Sequence, residues 1–130
     1  MSTNPSPATT PAAPPAAGGP APNEEEKNIA MLSHAGGILT GFIAPLVIWK
    51  MKGKESPFIE EHAKEAMNFE LTLAIGDILA LLVMLAVSGA LGLLLWAPVL
   101  IARVGLGIMG TLAAMQGQPF RYVVNARLIK

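Results

Sequence analysis

The chain has 130 residues, of which 52% are hydrophobic and 14% charged, and nine Lys and Arg balance nine Asp and Glu. Soluble domains carry charge on about a quarter of their residues, so the composition excludes an ordinary soluble fold; with no basic cluster to neutralise phosphates it also excludes a nucleic-acid binder. The absence of Cys removes disulfides, thiol nucleophiles and thiolate metal sites, which leaves an all-α integral membrane protein as the expected class.

The first 22 residues hold seven of the eleven prolines, set among Ala, Ser, Thr and Gly. Such a segment cannot bury enough apolar surface to offset its ordering entropy, so residues 1–27 are expected to form a disordered tail ahead of a helical membrane domain at 28–130. The tail has neither the basic start nor the apolar run of a secretory signal.

Three apolar stretches follow. Ile29–Trp49 is 21 residues without a formal charge, enough at 1.5 Å per residue to cross about 30 Å of hydrocarbon. Leu71–Val87 is interrupted only by Asp77, and Leu91–Met115 only by Arg103. The lengths predict three transmembrane helices over 29–49, 68–88 and 91–116, the last two joined by a tight turn at Ser88–Ala90.

Each of the last two helices carries one costly charge. The apolar residues of Leu71–Val87 contribute roughly −5 kcal/mol to insertion against about +3 for a central Asp, and Arg103 imposes a similar cost on its own helix. Helices that tolerate such costs bring their charges together. In a hairpin centred on Ala90, Asp77 and Arg103 lie equally far from the turn, and an intramembrane ion pair between them is expected. Arg103, Gly107, Gly110 and Ala114 fall on one stripe of small residues, Glu70 and Asp77 share a face of the preceding helix, and Gly37-x-x-x-Gly41 is a packing motif on the first helix. His34 lies near the start of that first helix, and Pro45 and Pro98 mark expected kinks.

The interval between the first two spans opens with Lys50, Lys52 and Lys54, followed by Ser56 and Pro57, an N-cap and first-turn pair that starts a helix. Ile59, Ala63, Ala66 and Met67 mark one side of this helix; Glu60, Glu61, Lys64 and Glu65 mark the other. The pattern predicts a short amphipathic helix at 57–67 lying at the membrane interface with its apolar side in lipid. His62 stands beside Glu61 and Glu65, an arrangement too common on solvated helices to indicate a metal site.

The run Pro57-Phe58-Ile59-Glu60-Glu61-His62-Ala63-Lys64-Glu65-Ala66-Met67-Asn68-Phe69 resembles the signature of a family of small prokaryotic membrane proteins of unknown function, similar to the chloroplast inner-envelope import component Tic twenty. The resemblance spans about 28–130 and includes Gly117–Tyr122. It implies family membership without carrying over any catalytic residue: His62, Lys64, Glu65, Asn68 and Phe69 are matched positions on the interfacial helix.

No nucleophile grouping, phosphate loop or metal signature stands out, so no enzyme, cofactor or metal is expected. The expected function is that of a helix-packing, partner-binding membrane module; the alternative is a subunit of an oligomeric transport or protein-translocation assembly with a polar path from Glu70, Asp77 and Arg103. Its partners would be the lipid bilayer and either further copies of itself or another membrane protein. With three spans, Lys50, Lys52, Lys54, Lys64, Arg121, Arg127 and Lys130 fall on one side and Lys27 on the other. That count predicts a multi-pass inner (plasma) membrane protein with its N-terminus outside and its C-terminus in the cytoplasm.

Overall fold

The computed structural model describes residues 20–130, so most of the expected tail lies outside the described residues. Four helices follow in order: α1 (Glu24–Thr40), α2 (Ile43–Lys52), α3 (Pro57–Ala86) and α4 (Gly89–Met115), with a short 3-10 turn at Gly53–Glu55 between α2 and α3. Among the described residues there is no strand. Helix α1 begins within what the composition assigned to the tail, because Asn23 closes a capping box with Glu26. The Asn23 side chain accepts from the Glu26 N–H at 2.9 Å, and the Glu26 carboxylate accepts from the Asn23 N–H at 2.8 Å. Glu24, Glu25 and Glu26 then sit against the positive end of the helix dipole.

The first apolar stretch is not one spanning helix. Gly41 adopts φ 65°, ψ −138°, a conformation that an L residue with a side chain disfavours, and α1 stops there. The Thr40 hydroxyl stitches the break: it donates to Gly36 O at 2.9 Å and accepts from the Ala44 N–H at 3.0 Å. Pro45 falls in the first turn of α2, where its missing N–H has no helical partner to lose. A Cβ on Gly36 would come within 2.6 Å of Ala44 Cβ, so α2 folds back against α1. The return is complete at the other end, where Gly53 at the end of α2 lies against the backbone of Glu60 in the first turn of α3. Two helices, α3 and α4, are long and apolar enough to cross a membrane; α2, with ten residues, is about 15 Å long and is not.

The expected interfacial helix is also absent as a separate element. Residues 57–67 are the first three turns of α3, which continues unbroken for 30 residues. Ile59, Ala63, Ala66 and Met67 are buried within the protein, and Phe58 packs with Ala30 and Ala114. The apolar side assigned to lipid is covered by the other helices instead. Ser56 does occupy the N-cap position with Pro57 in the first turn, although its side chain makes no capping bond.

Helices α3 and α4 form an antiparallel hairpin whose turn is Val87–Ser88, both N–H groups donating to Val83 O at 3.0 Å. Gly92 lies against the backbone of Met84 with no room for a Cβ, and Gly76 faces Val99, so residues of equal depth pair about Val87–Ser88 rather than Ala90. Helix α1 lies along this hairpin with His34 at Gly110, Ile38 at Gly107 and Gly37 at Glu70. Its break at Gly41 is therefore level with Asp77 and Arg103. Beyond that level only α3 and α4 continue, presenting Ile78, Leu82, Leu85, Leu94 and Ile101 outward.

After α4 the chain doubles back. Gly117, at φ 69°, sits beside Pro22 and Lys27, so the start of the described chain and the end of α4 occupy the same end of the bundle. Three successive spans would place the start of α1 and the end of α4 at opposite ends of the bundle; they lie at one end because the first apolar stretch turns back toward the end from which it started.

Candidate functional site

Two buried polar clusters lie at different depths. The deeper is ionic. The Arg103 Nη2–H donates to Asp77 Oδ2 at 2.6 Å and the Arg103 Nε–H to Glu70 Oε2 at 2.9 Å. The Trp96 Nε1–H adds a bond to Asp77 Oδ1 at 3.0 Å. One guanidinium thus serves two carboxylates, and the side chains of Arg103 and Glu70 are 12% and 2% exposed while that of Asp77 is 33% exposed. Long helical side chains explain the pairing: the two backbones are not at the same level about the Val87–Ser88 turn, and the guanidinium spans the offset. A cleft of about 330 Å³ opens beside the cluster, lined by Thr40, Gly41, Phe42, Glu70, Asp77 and Arg103 among others.

The second cluster, nearer the chain ends, is neutral and has a direction. Gln118 O can only accept, so His62 Nε2 carries the proton that reaches it at 2.9 Å. His62 Nδ1 then accepts from His34 Nε2–H at 2.8 Å, and His34 Nδ1 accepts from the Tyr122 hydroxyl at 2.8 Å. One carbonyl therefore fixes both imidazole tautomers. Burial, reinforced by Glu70 and Glu65 nearby, pushes the Tyr122 phenol up, which keeps it a donor.

These bonds belong to a longer seam that straps residues 118–130 along α3. Glu65 Oε1 accepts from the Tyr122 N–H at 2.7 Å, and the Tyr122 ring stacks on Phe69 with centroids 3.8 Å apart. Asn68 pairs with Ile129 as a second backbone would, donating to its O and accepting from its N–H, each at 2.6 Å. Thr72 Oγ1 accepts from the Ala126 N–H at 3.0 Å. His62, Glu65, Phe69 and Thr72 recur at three- and four-residue spacing, so one face of α3 holds the strap.

The expected positions thus acquire different places. Asp77 and Arg103 meet, together with Glu70. His62, Glu65, Asn68 and Phe69 hold the C-terminal strap, whereas Lys64 points away and pairs with Glu60 at 2.6 Å. Gly37 accommodates the Glu70 side chain, Gly107 faces Ile38, and Gly110 faces His34 and Tyr122. Gly41 packs against nothing; its role is the break. Thr72 and Trp96 were not singled out from the sequence, and Gln118 and Tyr122 figured there only as members of the matched segment Gly117–Tyr122. The detectable signal was the polar stripe His62, Glu65, Asn68 and Thr72 on a helix otherwise destined for burial, which demands partners.

The family model of the MamF/MmsF proteins, the magnetosome magnetite crystal formation protein family, matches residues 25–129. No curated protein and no solved structure matches the chain. Of the resemblance drawn from the α3 motif, membership of a membrane-protein family stands, and the likeness to the chloroplast import component has no support.

Proposed function

The chain belongs to the MamF/MmsF family of magnetosome magnetite crystal formation proteins, and from that premise we propose that it acts in the magnetosome membrane as a non-catalytic module that serves crystal formation by packing against lipid and partner proteins. The observation that carries this reading is that its mid-depth charges are spent on one another. Arg103 is bonded to both Glu70 and Asp77, and among the described residues every fully buried side-chain polar atom has a partner within the chain. A group that turns over a substrate or relays an ion must be free to exchange partners, whereas a closed network rigidifies and fixes register. What such a chain offers outward is its apolar surface and its charged end.

The test is complementation of a deletion strain in a magnetite-forming cell, scored by crystal number and size in electron micrographs. Replacing the network with apolar residues, Glu70→Leu with Asp77→Leu and Arg103→Leu, is expected to preserve crystals wherever the protein folds and reaches the membrane. Normal abundance with loss of crystals would assign the charges a transport role instead. One feature favours that second reading, the cleft beside Glu70, Asp77 and Arg103. Two long helices per chain cannot enclose a path, so it also requires several copies to assemble. A monomer in mild detergent and in crosslinked membranes counts against it.

A further inference from the structure

We propose that α1 and α2 form a re-entrant wedge confined to the leaflet on the lysine-rich side, and that the chain in consequence favours a membrane that is convex toward that side. The ligand of this surface is the acyl layer of a curved bilayer. The inference rests on geometry and charge, independently of any role in crystal formation.

The wedge enters and leaves through one face. Ala30 in the first half of α1 packs with Phe58 at the start of α3, and Gly53 at the end of α2 lies against the Glu60 backbone there. Its tip, Thr40–Phe42, lines the cleft with Asp77 and Arg103, which stand near the middle of their hydrophobic stretches. The outside of the wedge is apolar: Leu32, Leu39, Phe42, Ile43 and Val47 are exposed, Leu39 to 86%. In water that surface would be a liability; in one leaflet it is solvated by lipid.

Charge agrees with geometry. Of the nine Lys and Arg, Arg103 is in the ionic cluster, Lys27, Lys50, Lys52, Lys54, Lys64 and Arg121 belong to segments at the end where α1 starts, and Arg127 and Lys130 lie on the strap beside Asn68–Thr72. Residues 78–102, which form the far half of the hairpin, contain no charged residue. Under the positive-inside rule this end faces the cytoplasm.

Leaflet asymmetry follows. The cytoplasmic leaflet holds four helices and the far leaflet two, an excess of two cross-sections of roughly 100 Å² each for helices 10–12 Å in diameter. A body broader in one leaflet fits best where that leaflet is the convex one, as insertion into a single leaflet does for interfacial helices.

The chain has no native Cys, which makes single-cysteine labelling direct. Glu25→Cys, Lys54→Cys and Arg121→Cys replace exposed residues, and Gly89→Cys lies at the open turn of the hairpin. With a membrane-impermeant maleimide on sealed vesicles of known orientation, the first three are expected to react from the cytoplasmic side and Gly89→Cys from the other. Reaction of Glu25→Cys and Arg121→Cys from opposite sides would overturn the wedge. For the shape preference, the unmodified fold carrying Arg121→Cys is reconstituted into small and large vesicles of phosphatidylcholine and phosphatidylglycerol. The ratio of outward to inward label should be about twofold or more higher on the small vesicles; an equal ratio at both sizes overturns the curvature preference.

Discussion

The two buried clusters solve the same problem with different chemistry. At mid-depth, Glu70, Asp77 and Arg103 are held by charge within one hairpin. Near the chain ends, His34, His62, Gln118 and Tyr122 are joined by neutral hydrogen bonds that link α1, α3 and the C-terminal strap. The difference teaches where each kind of contact is useful. Isolated charges at the bilayer centre are expensive enough that only mutual neutralisation makes both helices insertable, and adjacent helices of a hairpin supply it. Toward the polar end water is close, charge is cheaper, and a directional neutral chain gives register among segments 28 to 88 residues apart.

The largest effect is expected from breaking the ionic cluster at its shared member. Arg103→Ala leaves two carboxylates unpaired and should cost about 3–5 kcal/mol, whereas Asp77→Ala should cost about 1–2, since Asp77 is one-third exposed and Arg103 retains Glu70. A double-mutant cycle on protease resistance in lipid measures the difference. Additive effects of the two substitutions would show that Asp77 and Arg103 do not share an interaction.

Next in size is the neutral chain. Tyr122→Phe keeps the stack on Phe69 but leaves His34 Nδ1 without its donor, a loss of about 1–3 kcal/mol. Asn68→Ala removes both bonds to Ile129. In each variant proteolysis should detach residues 118–130 before it cuts α3 or α4, while in Arg103→Ala the hairpin itself should become susceptible. If both kinds of variant show the same order of cleavage, the two clusters are one cooperative unit.

Packing at the glycines separates the regions again. Gly92→Val puts a branched side chain against the Met84 backbone and should cost about 1–3 kcal/mol by prying the hairpin apart. Gly105→Ala, at an open position, should leave stability unchanged or raised, helix propensity favouring Ala by up to about 1 kcal/mol. Thermal unfolding in the same lipid compares them.

The smallest effect is a pH dependence at the polar end. Hydrogen bonds from Ser56 and the Asn23 backbone hold the Glu26 carboxyl below its ordinary value. Its contribution is therefore fully present above that ordinary value and is lost as pH falls through the lower, folded one. Glu26→Gln should remove this acid-side loss from protease-resistance profiles of α1 while leaving the hairpin's profile unchanged; an unaltered α1 profile would show that the capping box carries no charge-dependent stability.

What the sequence determined by itself is the membrane class, the hairpin of α3 and α4, and the need for Asp77 and Arg103 to find partners, because length, hydropathy and insertion cost are local sums over consecutive residues. Only the tertiary structure decided the break at Gly41, the burial of Ile59, Ala63, Ala66 and Met67, and the turning back of the first apolar stretch toward the end of the bundle from which it started. A run of 21 uncharged residues has the length of a span whether or not it folds back. An amphipathic face reads the same whether lipid or protein covers it. His34, His62 and Tyr122 are far apart in sequence, and only the strap, docked along α3 by Glu65, Asn68 and Thr72, brings their hydrogen-bonding atoms within reach.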